Sequence, residues 1–385
     1  MIKIVATADN HLGRYYDRML PSRLEERRKY LRRGFHAAVE HALTHGAHLF
    51  LQIGDLFDSP DPRNVERDFV ASELARLRQH GVSCFGIGGN HDTPRMRTEQ
   101  GGTLPQAIYA RLGGIRLFEP SLHAEYETVA VDGTRVAVGG ISWNHSLAPE
   151  IDPLSGVQAG PPADVSVLLA HCSVEGHVYP SEMEPVTSLA TLEALPGIDL
   201  ALLGHVHRHR AFRLGRRTAL MVGATEQMTF GSSEGDSGFV YVELDGTAVA
   251  RYDFVTTPSQ PRRECLVRTT ELGDDPPAEI LRRLEPLCTQ ETLVKLRIAG
   301  PISRETYHRL DVRRIYEFGT AHCFHFDLDT VGLWVSDESN GTVGGVRFSQ
   351  SEELTLFANS LIAETAGDDE RALLQEALNE ILAHY

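Results

Sequence analysis

The sequence predicts an α/β fold followed by a smaller α+β segment and a helical C-terminus. Three observations carry this. Apolar β-branched runs alternate with helical periodicity over the first ninety residues. A texture of short strands follows, up to residue 256. The stretch TTPSQPRR, Thr256–Arg263, then reads as a linker by composition. At 385 residues, the chain is long enough for two or three domains.

The elements follow in order. Ile2–Thr7 is an apolar strand that ends in Ala8-Asp9-Asn10-His11. Ser22 to His45 is helical, with Leu24, Tyr30, Leu31, Phe35, Ala38, Val39 and Ala42 near one face. Ala47–Ile53 reads as a buried strand ending in Gly54-Asp55, and Asn64 to His80 as a second helix. Val82–Gly88 is a third strand, ending in Gly89-Asn90-His91-Asp92. Further strands are expected at Ile115–Phe118, Thr128–Val131, Arg135–Ile141, Val165–Ala170, Leu200–Leu203, Ala219–Val222, Gly238–Leu244 and Ala248–Phe254. One helix, Val186–Leu195, interrupts them. Beyond the linker the expectation is strand Cys265–Thr270, helix Ala278–Leu287, strand Thr292–Ile298, helix Ser303–Leu310 and strand His322–Thr330. Two amphipathic helices fill residues 351–385. The domain limits are 1–258, 262–348 and 349–385.

Composition narrows the class. Hydrophobic content of 42 % and charged content of 23 % are globular values and exclude a disordered chain. No apolar run approaches the ~20 residues of a membrane helix, and Met1–Asp9 lacks the marks of a signal peptide. The five cysteines form no CxxC pair, which disfavours a disulfide framework and a thiolate zinc site. A cytoplasmic location is expected. The net charge of −16 argues against nucleic acid, but its distribution is uneven. Residues 350–385 hold eight acids and one base, whereas residues 22–33 hold six bases and two acids. The Arg-rich helix is either ordinary surface or a phosphate-facing one.

The chemistry lies in five clusters: Asp9-x-His11, Gly54-Asp55-x-x-Asp58, Gly89-Asn90-His91-Asp92, His171, and Gly204-His205-x-His207. Each follows a strand, where open α/β sheets place ligands. Each taken alone has an ordinary explanation, such as a capping turn or a core histidine. Together they supply more carboxylate, imidazole and carboxamide groups than one divalent ion takes. The set fits two ions sharing a carboxylate.

This motif order resembles the calcineurin-like metallophosphoesterase superfamily over residues 1 to about 256. The surrounding text, Ala8-Asp9-Asn10-His11-Leu12-Gly13, Gly54-Asp55-Leu56-Phe57-Asp58 and Gly204-His205-Val206-His207, is closest to the SbcD-type DNA repair exonucleases of the bacterial branch. The resemblance implies a four-layer α/β-β/α sandwich with a small α+β DNA-capping domain. It implies that Asp9, His11 and His207 hold one metal, that Asn90, His171 and His205 hold the other, and that Asp55 bridges them. A hydroxide activated by the two ions would attack phosphorus. His91 would stabilise the transition state or protonate the leaving oxygen, and Asp92 would orient His91 from behind. Asp58, where archaeal and eukaryotic members usually carry His, would be structural or would support a ligand from behind. Arg14, Arg95, Arg97, Arg208 and Arg210 flank the motif loops and are candidates for phosphate contact. The metal expected is Mn2+, with Mg2+, Fe2+ or Zn2+ also suited. The partners implied are DNA, an SbcC-type ABC ATPase and a second copy of the chain. The expected function is a Mn-dependent DNA nuclease. The alternative is a metallophosphatase or small phosphodiesterase on the same core.

Overall fold

Two βαβ steps open the chain. Strand β1 (Ile2–Thr7) leads through helix α1 (Pro21–Thr44) to β2 (Leu49–Ile53), then through α2 (Asn64–Gln79) to β3 (Ser83–Ile87). A short helix α3 (Ala107–Arg111) precedes β4 (Arg116–Phe118). The computed structural model describes residues 1–336 apart from 17–18, 97–98, 122, 179–183, 216 and 231–234, together with Arg371, Leu374, Gln375 and Leu378. Arg97 and most of residues 349–385, including the expected helical pair, lie outside the described residues.

Next come β5 (Glu125–Val131), β6 (Thr134–Ile141), β7 (Val165–His171), β8 (Ser173–Val174) and β9 (Val186–Thr187). Helix α4 (Leu189–Ala194) leads to β10 (Leu200–Gly204), β11 (Arg210–Leu214) and β12 (Arg217–Met221). The hairpin β13 (Gly238–Asp245) and β14 (Ala248–Thr256) completes the series. One sheet has the order β14-β13-β1-β2-β3-β4, the other β11-β12-β10-β7-β6-β5.

Successive strand residues face opposite sides, and the core divides accordingly. Ile4 and Ala6 of β1 join Leu51, Val138, Val167, Leu169 and Leu202 between the two sheets. Val5 and Phe50 pack on the other side against Leu31, Phe35 and Val39 of α1 and Val70 and Leu74 of α2. Beyond the second sheet, Leu168, Ala170 and Leu203 meet Leu192 of α4, with Leu154 and Leu195. Helix layer, sheet, sheet and a thinner outer layer give the expected four-layer sandwich.

The chain divides into two compact units. The first is Met1–Glu264 with Thr289–Leu293 and Cys323–His325. The second is Cys265–Cys288, Val294–His322 and Phe326 onward. A further sheet is built from β15 (Arg262–Arg268), β16 (Leu293–Ile302) and β17 (His325–Asp329), with β18 (Leu333–Val335) added to β16. Helices α5 (Pro276–Leu284), α6 (Arg304–Arg309) and α7 (Val312–His322) belong to the second unit, where Ile280, Leu284 and Ile315 are buried.

Several sequence expectations need correction. Val186–Leu195 is not one helix. Val186–Thr187 pairs with Ser173–Val174, and Ser188 then caps α4 by accepting a hydrogen bond from Thr191 N at 3.0 Å. Strands β8, β11 and β18 and helices α3 and α7 have no counterpart among the sequence expectations, and the last expected strand starts at His325 rather than His322. The stretch read as a linker is pinned to the first unit. Thr257 donates to Thr225 O at 2.7 Å, and buried Gln260 accepts from Arg27 Nη1 at 3.3 Å.

Candidate metal centre

The loops after β1, β2 and β3 leave neighbouring parallel strands of one sheet. The segments after β7 and β10 leave neighbouring parallel strands of the other. The sheets face one another, so the five motif clusters meet. Their backbones are bent to do so. Asp9, His11, Asp55 and His205 have φ of 50°, 45°, 51° and 93°, a left-handed region that costs a non-glycine residue roughly 1–3 kcal/mol. Two motif glycines are required by close approach. A Cβ on Gly54, whose φ is 76°, would lie 2.2 Å from His171 Nδ1, and one on Gly89 would lie 2.2 Å from Asp55 Oδ1.

Hydrogen bonds from outside the cluster fix which ring nitrogens face inward. His171 Nδ1 donates to the Ile53 carbonyl at 2.9 Å, leaving Nε2 pointing at Asn90 Oδ1 (3.1 Å), Asp55 Oδ2 (3.4 Å) and Asp9 Oδ1 (3.9 Å). His205 Nε2 donates to Glu184 at 2.7 Å, leaving Nδ1 at 3.0 Å from the same Asn90 oxygen. His11 Nδ1 donates to Asp58 at 3.1 Å. Its Nε2 then faces His207 Nε2 at 3.2 Å and Asp55 Oδ2 at 3.7 Å. Two nests of lone pairs result, with Asp55 reaching both. Donor atoms of Asp9, His11 and His207 lie within 4.8 Å of one another, as do those of Asp9, Asp55 and His171 and those of His11, Asp58 and His91. Lone pairs at these separations repel unless a proton or cation stands among them, and imidazole with carboxylate suits divalent transition metals. The donor set fits two ions.

The residues expected to do chemistry separate. His91 is exposed, edge-on to the His11 ring at 4.6 Å, and its Nδ1 donates to Asp58 O at 3.3 Å. Its backbone N–H donates to Asp55 Oδ1 at 2.8 Å. Asp92 does not stand behind His91. Its carboxylate accepts from the backbone N–H groups of Gly89, Leu56 and Phe57 and from Gln106 Nε2. Those donors spend its oxygens on tying two motif loops together, so Asp92 sets the loops rather than the imidazole.

The sequence profile of the family described as "Calcineurin-like phosphoesterase" matches residues 2–209. The chain belongs to this family. Calcineurin-like phosphoesterases use divalent metals, and the clusters above are where this member can hold them. The chain is 26 % identical over 267 residues to the DNA double-strand break repair protein Mre11 of Methanopyrus kandleri, covering 66 % of this chain and 56 % of that protein. It is 29 % identical over 289 residues to Mre11 of Aeropyrum pernix, covering 71 % and 64 %. The chain thus spans about three fifths of the length of these relatives. Among solved structures, a putative 5'-nucleotidase from Staphylococcus aureus aligns at 16 % identity with a TM-score of 0.39, covering 74 % of this chain and 58 % of that one.

The electrostatics of this phosphoesterase centre follow from burial. Desolvation holds the His11 imidazole below its ordinary pKa. Burial pushes the Asp55 carboxyl up, but His171, His11 and His91 outweigh it and hold the group well below the carboxylate range. Burial lowers His171, yet the facing Asp55 and Asp9 raise it to about 9. Burial, with the nearby Asp55 charge, pushes Asp92 up to about 7. Asp58, half-buried but bonded to His11 and Arg14, is held low.

Sequence reasoning missed three residues that touch the centre. Glu184 meets His205. Trp143 stacks on the His205 ring at 5.3 Å and 28°. His145 accepts from Trp143 Nε1 at 3.1 Å and donates through Nε2 to Thr93 O at 3.0 Å. Strand β6 ends one residue before Ser142-Trp143, which was the available signal. The Arg-rich helix is largely not a phosphate surface. Arg27 is fully buried against Glu226, Arg28 donates to the carbonyls of Gly13 and Arg14, and Arg32 pairs with Glu66 and Glu25. Of the flanking arginines, Arg14 is held by Asp58 at 2.9 Å, while Arg95, Arg208 and Arg210 are exposed.

Among the described residues, no helix is long and apolar enough to cross a membrane.

Proposed function

We propose that this chain is a DNA nuclease of double-strand break repair that hydrolyses phosphodiester bonds with two divalent ions, most suitably Mn2+. The observation that carries the reading is the pair of lone-pair nests joined by Asp55. Asp9, His11 and His207 would hold one ion, Asn90, His171 and His205 the other, and Asp55 both. Ions so held would lower the pKa of bound water toward neutrality and offset phosphate charge.

The protein's own contribution is placement. Asp58 and the Ile53 carbonyl set the inward nitrogens of His11 and His171. His91, exposed and anchored through Nδ1, keeps its other nitrogen to donate a proton to the leaving oxygen. Asp92 keeps the loop carrying Asn90 and His91 in register with the loop carrying Asp55.

DNA as substrate is supported by the motif text and by the names of the Mre11 relatives. The resemblance of the motif text alone extends the reading to an SbcC-type ABC ATPase and a second copy of the chain as partners. In this reading residues 1–258 form the nuclease domain and 262–348 a DNA-capping domain.

The test is digestion with added Mn2+ of end-labelled single- and double-stranded DNA, of bis-p-nitrophenyl phosphate and of p-nitrophenyl phosphate. Cleavage of DNA and the diester, with little attack on the monoester, is expected. Preference for the monoester, or cleavage of small diesters with DNA left intact, would replace the nuclease by the small-substrate alternative.

A further inference from the structure

We infer that Glu184 is a positioning residue for the metal centre: it fixes the tautomer and plane of His205 so that Nδ1 faces Asn90. The inference rests on the two-ion reading above. Local structure brings Glu184 there. His171 ends β7, and two residues on Ser173 begins β8, which pairs with Val186–Thr187. Ser173 and Glu184 therefore lie side by side, and the Ser173 hydroxyl donates to one carboxylate oxygen of Glu184. The other oxygen lies 2.7 Å from His205 Nε2. The Glu184 side chain is 6 % exposed and the His205 side chain 3 %.

A carboxylate oxygen facing a neutral imidazole only accepts, so the proton must sit on Nε2 and the lone pair on Nδ1. With the alternative tautomer, Nδ1 would carry hydrogen toward the site and Nε2 would face the carboxylate lone pair to lone pair. Trp143 limits the remaining freedom. Its indole lies near-parallel to the His205 ring, and is itself tied through His145 to the Thr93 carbonyl. Imidazoles that bind metals generally donate their second N–H to such a partner, and losing it costs about 10–100-fold in metal affinity.

The experiment uses all 385 residues of the chain. Its tryptophans are Trp143 and Trp334, and Trp334 lies far along the chain in the second unit. In a Trp334→Phe background, Trp143 reports paramagnetic metal beside His205 by fluorescence quenching. Metal-free protein is titrated with Mn2+, reading Trp143 quenching together with bound metal from equilibrium dialysis. The comparison is the parent chain, Glu184→Ala and Glu184→Gln. The parent should bind two equivalents, with one quenching Trp143. Glu184→Ala should weaken the quenching equivalent by about 10–100-fold, leave the other equivalent in place and keep the metal-free melting temperature. Glu184→Gln, whose amide oxygen still accepts from Nε2, should recover most of that loss. Parent-like quenching and binding in Glu184→Ala would overturn the inference, as would equal loss of both equivalents with a lowered melting temperature. A parent that binds fewer than two equivalents would instead overturn the two-ion reading.

Discussion

Asp55 Oδ2 stands 3.4 Å from His171 Nε2, while the other nitrogen of the same ring is bound to the Ile53 carbonyl. The imidazole therefore offers Asp55 either a proton or a lone pair. Which one it offers depends on whether a cation is present, and this contact couples proton and metal.

Proton release on metal binding follows. In the metal-free protein His171 is raised to about 9, so at pH 7 it holds the proton that an ion must displace. Calorimetric titration with Mn2+ in two buffers of different ionisation enthalpy should show that release. Identical heats in both buffers would refute it. The stability linkage has a definite sign. A raised imidazole pKa stabilises the metal-free fold below the ordinary value of 6.5 and loses that contribution as pH rises through about 9. The depressed Asp55 carboxyl contributes above its ordinary 3.8 and loses its contribution as pH falls through the lower folded value.

Asp55→Asn should abolish hydrolysis and lower the occupancy of both ions, because the carboxylate reaches both histidine sets and offsets repulsion between the cations. Elemental analysis after dialysis against a fixed Mn2+ concentration checks this. Two full equivalents in the variant would remove Asp55 from the bridging position.

His91→Asn should cut the rate by about 10²–10⁴-fold with unchanged metal content, since the ring is exposed and its anchor is a backbone carbonyl. Loss of metal together with rate would make His91 a ligand, consistent with its place in the third donor cluster with His11 and Asp58.

Arg27→Ala should destabilise the fold by about 3–5 kcal/mol, the usual cost of stranding a buried charge, here that of Glu226. Denaturant unfolding measures it. A loss under about 1 kcal/mol would mean that the pair is open to water.

These tests separate what the sequence made legible from what it did not. Strands such as Val165–His171 were readable because every residue is buried and all but Ser166 are apolar up to the histidine. The motif glycines were readable as spacing, and the structure gives the reason: a Cβ at Gly54 or Gly89 would come within 2.2 Å of a side-chain atom of His171 or Asp55. Helix α7 was hidden by its valine, isoleucine, tyrosine, phenylalanine and threonine, which are indifferent helix formers. Its start is set by Asp311, whose carboxylate accepts from Arg314 N at 3.1 Å. Charge density misled in helix α1, because counting arginines does not reveal that Arg27 points inward. Glu184 was illegible because it lies 21 residues before His205, and only the pairing of two two-residue strands brings it near.

Anomalous diffraction from crystals grown with Mn2+ tests the central claim most directly. Two peaks roughly 3.5–4 Å apart are expected, one against Asp9, His11 and His207, the other against Asn90, His171 and His205, with Asp55 touching both. A single peak, or two with Asp55 on only one of them, would contradict the two-ion centre.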